Sequence, residues 1–131
     1  MTGAVEPGIR DLAREANFAA FTVLLRSGQP MTHVMWVDAD DDHVLINTEV
    51  HRAKYEAVRR DPRVTVTIWK RDDPYRFAEV RGRVVETVTG PEAREHIDAL
   101  SRKYRNRDYD TANIGSERVI LRIAPDRQRL R

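Results

Sequence analysis

Cysteine is absent from the 131 residues. Its absence excludes disulfides, thiolate catalysis and cysteine-based zinc sites, and it fits a reducing compartment. Long apolar runs are missing as well. Nothing approaches the roughly 20 residues needed to span a bilayer. The opening segment "MTGAVEPGIRDLAREA" is charged and lacks the apolar stretch of a secretory signal. The expected location is the cytoplasm, with no membrane partner. Nor does either sign of charge dominate: 23 basic residues face 21 acidic ones. That balance leaves no footprint for broad nucleic-acid binding.

Phosphate-binding loops of the glycine-rich kind do not occur, because Gly28, Gly82 and Gly90 stand alone. The histidines, His33, His43, His51 and His96, form neither HxH nor HExxH. No metal site is expected from them. The acidic run "DADDD" lacks the glycine and distant glutamate of an EF-hand and reads as a solvated turn. A Ser-His-Asp set is assembled in space, so spacing alone does not reveal one.

What remains is an ordinary globular composition, 40% hydrophobic and 34% charged. The length suits one domain covering residues 1–131. Apolar spacing predicts a short helix over Pro7 to Ala16. Strands are predicted for Phe18 to Leu25, Met31 to Val37 and His43 to Thr48. A helix follows from His51 to Arg60, stopped by Asp61-Pro62. "RVTVTIW" alternates with period two and reads as a strand, with Val64, Val66 and Ile68 on one face. A long strand runs from Tyr75 to Val88, with a bulge expected at Val84-Val85. "GPEAREHIDALSRKY" is a helix with proline in its first turn. A polar loop and a last strand, Arg118 to Ile123, complete the chain, and "RQRLR" reads as a solvated basic tail. Six or so strands in meanders suggest a closed or nearly closed antiparallel barrel.

One stretch carries a chemical question. In "NTEVHRAKYEAVRRDPRV", Arg52 and Lys54 fall at a helix N-terminus, where the macrodipole is already positive. An anion there resolves the conflict. Free amide N–H groups, a guanidinium fork and an ammonium would converge on it, and the Thr48 hydroxyl could cap the helix or donate to it. The plainer alternative is a pair of surface cations screened by Glu49 and Glu56. Trp36 and Trp69 sit on strands opposite the regular apolar rows. Each suits a flat ligand or a partner subunit, or simply an edge of the core.

The ordered motifs "WVD", "VLINT", "RAK", "RRDPRV" and "PYRFAEVRGRV" resemble the flavin and deazaflavin split-barrel superfamily. That superfamily contains the pyridoxamine 5'-phosphate oxidases. The closer resemblance is to its small actinobacterial F420-binding reductases, and it is strongest over residues 18–90. It implies a mainly β, α+β fold: a six-stranded antiparallel split β-barrel with short flanking helices. It also implies a homodimer with cofactor clefts between subunits. By motif position, Thr48, Arg52 and Lys54 would hold the cofactor phosphate, with Asn47 beside them. Val34, Met35 and Trp36 would run along the ring system. Arg76 would reach in from the other subunit, with Trp69 and Tyr75 near the seam. The chain departs from the pattern at Ala57, where the family often has asparagine, and lacks proline before Trp36.

The implied activity is F420-dependent hydride transfer to a small or planar electron-poor acceptor such as an activated alkene, quinone or tetrapyrrole. FMN in place of F420, or a non-catalytic carrier of F420 or another planar ligand, are the alternatives. No catalytic residue is singled out; His33, Tyr75 and Tyr104 are the proton donors on offer. Arg59, Arg60 and Arg63 could follow the anionic tail of F420, or form a solvated basic face.

Overall fold

A computed structural model describes residues 3–131. Among these residues three α-helices, α1 (Pro7–Arg14), α2 (Ala53–Arg60) and α3 (Pro91–Arg105), accompany seven strands. The strands are β1 (Phe18–Leu24), β2 (Pro30–Trp36), β3 (Asp38–Ala39), β4 (Val44–Glu49), β5 (Arg63–Lys70), β6 (Asp73–Val88) and β7 (Arg118–Leu130). Every pairing is antiparallel, in the order β2-β1-β5-β6-β7-β4-β3. β2 and β3 are consecutive in the chain yet lie at opposite ends of that order, so the sheet curls back on itself.

Seven strands replace the expected six because the second one is interrupted at Val37. Its N–H donates to the Tyr104 hydroxyl at 3.1 Å, and its carbonyl accepts from Lys103 Nζ at 2.6 Å. Side chains of α3 thus take the backbone groups at the point where the chain passes from β2, paired with β1, to β3, paired with β4.

Alternation fills the barrel. Ala19, Phe21 and Val23 of β1 meet Val64, Val66 and Ile68 of β5, as period two predicts. Val44 and Ile46 of β4 and Val119, Leu121 and Ile123 of β7 close the same core. Ile9, Leu12 and Ala13 of α1 and Ala57 and Val58 of α2 pack into it. α3 instead covers the outer side of β4 and β7, where Ala93 meets Leu45 and Ile120.

The expected bulge falls where Val84 pairs with Ile123 and Glu86 with Arg122, which leaves Val85 over. Close approach of β7 explains Gly82. A Cβ there would lie 2.2 Å from the Ala124 carbonyl oxygen, so no side chain fits.

The C-terminus corrects the reading of a solvated tail. β7 continues to Leu130, and Arg127, Gln128, Arg129 and Leu130 pair with Arg81, Val80, Glu79 and Ala78. "RQRLR" is itself a period-two pattern. Leu130 packs on the core and Gln128 donates to Ala4 O, while the arginines stay exposed. Its charge content disguised the alternation. The loop after α3 starts from Asn106 in the left-handed region and includes a 3-10 turn, Thr111–Asn113. Among the described residues no helix is long and apolar enough to cross a membrane.

Candidate functional site

A cleft of about 290 Å³ opens between β2, α3 and the loop that follows α3. Phe18, Val34, Met35 and Trp36 form its strand wall. Ile97, Leu100 and Arg105 form the helix wall, Tyr109 and Asn113 come from the loop, and Asn47 and Arg118 supply the polar floor. Among the described residues no carboxylate lines it.

The aromatic side is built around Tyr104. Its ring stacks on Trp36 at 5.1 Å and 5° and lies 5.8 Å from Phe18, which in turn neighbours Trp69. Tyr109 meets Trp36 edge-on, and the Arg105 guanidinium lies over the Trp36 ring at 5.2 Å. The Tyr104 hydroxyl donates to the Asn17 carbonyl and accepts from Val37 N–H. Burial pushes its phenol up to about 12. It is a fixed structural donor, poorly suited to deliver a proton to a substrate. His33 is exposed on β2 and lies outside the cleft lining.

The floor is a continuous polar chain whose protons can be assigned from its partners. Asn47 is 4% exposed. It faces a guanidinium, Arg118 Nε at 2.9 Å, and a carbonyl, Ala93 O at 3.0 Å. The first only donates and the second only accepts, so Asn47 Oδ1 must point at Arg118 and Nδ2 at Ala93. Nδ2 also stands 3.0 Å from His96 Nδ1, which must therefore accept. The His96 proton lies on Nε2 and is donated to Asp38 Oδ2 at 3.0 Å. Burial alone would raise Asp38. The bonds from His96 and Ala39 N–H, with the nearby Lys103 charge, outweigh it and hold that carboxyl below its ordinary range.

Beyond Arg118 lies a cluster of cations. Glu49 is 1% exposed, and its Oε2 stands 3.5 Å from both Arg52 Nη2 and Arg118 Nη1. Its Oε1 accepts from Gly115 N–H at 2.7 Å and Ser116 N–H at 2.8 Å. Burial works to raise Glu49, but these amides and Arg118 hold it below the ordinary carboxylate range. Lys54 is 8% exposed and has neither hydrogen bond nor ion pair among the described residues. Burial lowers its ammonium, and the charges of Arg52 and Arg118 lower it further. Two of the three cations share one carboxylate and Lys54 has none, a local excess of two positive charges. The Ser116 hydroxyl lies 2.5 Å from His51 Nδ1. The adjacent Gly115 and Ser116 amides are spent on Glu49 and are not free to serve as an oxyanion hole for the pair.

Of the residues picked from sequence, Val34, Met35, Trp36 and Asn47 come together in the cleft. Arg52 and Lys54 come together beside Arg118. Thr48 does not join them. It lies opposite Val119 and shares the inward face of β4 with Val44 and Ile46. The helix starts at Ala53, its N-cap is Arg52, and no side chain caps it, so the expected Thr48 cap is absent. Trp69 reaches the cleft only through Phe18. Tyr75 is 88% exposed. Arg76 donates to Arg131 O and lines a separate groove against α1. Glu49 is buried and shared between two arginines, whereas Glu56 is the exposed acid. Arg63 is paired with Asp61 and Arg59 lies over the Tyr55 ring.

Sequence reasoning placed the loop over residues 104–116 at the cleft border but singled out none of Arg105, Tyr109 and Asn113 within it, and it missed Arg118. The i, i+3, i+4, i+7 spacing of Ile97, Leu100, Ser101 and Tyr104 marked one face of α3 and, with Tyr104 already in view, pointed to its neighbour Arg105. Arg118 carried no such signal, since a strand-initial arginine is ordinarily exposed.

A search of curated proteins finds no match. Among solved structures the chain is similar to an F420 reductase, with 24% identity, 95% of this chain and 98% of that one covered, and a TM-score of 0.81. It is similar to a conserved hypothetical protein of Mycobacterium tuberculosis, with 24% identity, 98% and 85% covered, and a TM-score of 0.73. It is also similar to HupZ of Group A Streptococcus, with 13% identity, 96% and 93% covered, and a TM-score of 0.66. These likenesses concern the fold. The sequence pattern described as pyridoxamine 5'-phosphate oxidase matches residues 5–131. A curled antiparallel barrel, matched by that pattern along nearly its whole length, belongs to the pyridoxamine 5'-phosphate oxidase family.

Proposed function

We propose that this protein is a cytoplasmic F420-dependent oxidoreductase that works as a homodimer. The observation that carries the reading is Lys54. A buried lysine without a partner, beside two arginines and one shared carboxylate, is costly unless an anion completes it. A bound phosphate offsets that excess: the monoester of FMN carries about −1.5 to −2 charges at neutral pH, and the phosphodiester of F420 carries one, with the carboxylates of its tail adding more. The adjoining cleft, walled by Trp36, Met35 and Val34, suits a planar ring.

When bound, F420 would supply a hydride to an electron-poor acceptor. The chain's own residues bind and orient. Arg52 and Lys54 hold the phosphate, and backbone and side chains of 34–36 lie along the ring. Asn47 braces the floor. The fixed Tyr104 hydroxyl leaves the completing proton to solvent.

The outer face of β2, β1 and β5 supports the dimer. It presents Thr32, Val34 and Trp36, then Phe18, Ala20 and Thr22, then Thr65, Thr67 and Trp69, all uncharged. Val34 is 66% exposed at the cleft rim. A second copy on this face would cover it, close the cleft and bring its own Tyr75 and Arg76 to the seam.

The test uses chemically reduced F420 with a panel of quinones and activated alkenes. Oxidation of F420 dependent on both enzyme and acceptor is the expected result. Binding without turnover across the panel would assign the chain as a carrier. Turnover with reduced FMN alone would keep the site and change the cofactor. Sedimentation at micromolar concentration is expected to give a dimer.

A further inference from the structure

We infer that Arg118 is a third cation of the phosphate site, and that Asn47 is its positioning residue and donates no hydrogen bond to the phosphate itself. This rests on the phosphate reading above.

Arg118 opens β7 and is 8% exposed, yet its guanidinium reaches the cleft floor. Pairing with Glu49 does not account for it. Charge-assisted guanidinium–carboxylate bonds run at about 2.7–2.9 Å. Here the separation is 3.5 Å, and the same oxygen is shared at the same distance with Arg52. The other oxygen of Glu49 is committed to Gly115 and Ser116. A guanidinium has five N–H donors, and Asn47, Glu49 and the Tyr109 side chain take one each. Donors are left over at a buried site that also holds an unpartnered ammonium.

Its plane is fixed. Asn47 Oδ1 takes the Nε–H, and the Tyr109 ring lies 5.3 Å from the guanidinium carbon. Both ends of the Asn47 amide are spent, on Arg118 at one side and on Ala93 and His96 at the other. Asn47 therefore holds Arg118 in place and has no N–H left to donate to an anion. Because Glu49 touches Arg52 and Arg118 alike, the two guanidinium groups flank one small volume, with Lys54 close enough to feel both charges. An oxyanion there would meet a fork from each side and a point charge.

The test follows the Arg118 Nε–H resonance of the intact protein during titration with inorganic phosphate. It then repeats the titration with Arg118→Gln, Arg118→Lys, Asn47→Leu and Lys54→Ala. Expected results are a saturable shift of that resonance and a loss of about tenfold or more in phosphate affinity for Arg118→Gln, the usual effect of removing a charged hydrogen bond. Arg118→Lys should recover part of it. Asn47→Leu should weaken phosphate several-fold, and Arg118→Lys combined with Asn47→Leu should lose no more than Arg118→Lys alone, because lysine has no Nε–H for Asn47 to hold. FMN should follow phosphate through the series, and riboflavin, which lacks the phosphate, should not. Phosphate binding that depends on Lys54 but leaves the Arg118 resonance and the Arg118→Gln affinity unchanged would overturn the assignment and spare the phosphate site. No saturable phosphate response anywhere would overturn both. The resonance is read in the unaltered chain, so the result stands even where a variant folds poorly.

Discussion

Replacing Lys54 by alanine will weaken binding of a phosphate-bearing flavin or deazaflavin by about 10- to 100-fold without lowering the melting temperature. The loss is that of one charge-assisted bond in a largely buried site, about 1.5–3 kcal/mol. The unchanged or raised melting temperature follows from what surrounds the ammonium. Burial and the charges of Arg52 and Arg118 all oppose its protonated form, and no carboxylate pairs with it. A lysine lowered in the folded state binds fewer protons there than in the unfolded chain between the two pKa values. Stability therefore rises with pH across that window, which ends near the ordinary 10.5, and the charged lysine is a cost below it. Alanine removes the cost along with the contact. A bound phosphate reverses the balance by favouring the charged form, so wild-type affinity should fall as pH rises through the lowered Lys54 value. The Lys54→Ala protein should lack that slope. Calorimetric titration and thermal melts over a pH series read both effects; full affinity in the variant would remove the phosphate assignment.

The second large effect is expected at Glu49. Glu49→Gln should destabilise the unliganded protein by about 3–5 kcal/mol, as breaking a buried ion pair on one side usually does. Glutamine can still accept from Gly115 and Ser116, so the loss is electrostatic: Arg52, Lys54 and Arg118 are left without a counter-charge. Phosphate should then raise the melting temperature of the variant more than that of the wild type, because it restores the missing charge. The sign with pH is fixed too. Glu49 is held below its ordinary 4.5, so its contribution is complete above that value and is lost as pH falls through its folded value. Denaturant titrations from pH 7 downward should show a larger acid-side loss in the wild type than in Glu49→Gln, which keeps only the part due to other lowered carboxylates such as Asp38. A variant as stable as the wild type at pH 7 would mean that the three cations do not repel one another through the site.

Much of the barrel was legible because its strands alternate. Val64, Val66 and Ile68 could only be an inward row, and Val84-Val85 could only break one. The extra strand was not legible. Val37 leaves the ladder through bonds to Lys103 and Tyr104, which lie 66 and 67 residues away in sequence. The C-terminal strand was hidden by arginines that alternate outward. For the site, the conflict between Arg52, Lys54 and the helix dipole was visible in a few adjacent residues. Arg118 was not, because it joins them only through Glu49 and Asn47, across the β4–β7 pairing. Thr48 shows the limit of motif position. Its strand register turns it into the barrel, whatever its neighbours bind.

The most direct measurement is a pair of titrations of the purified protein, with F420 and with FMN, at one salt concentration and with inorganic phosphate as competitor. The account predicts saturable F420 binding, stronger than FMN, that phosphate displaces and that Lys54→Ala weakens. Binding of neither cofactor, or binding indifferent to phosphate and to Lys54, would contradict it.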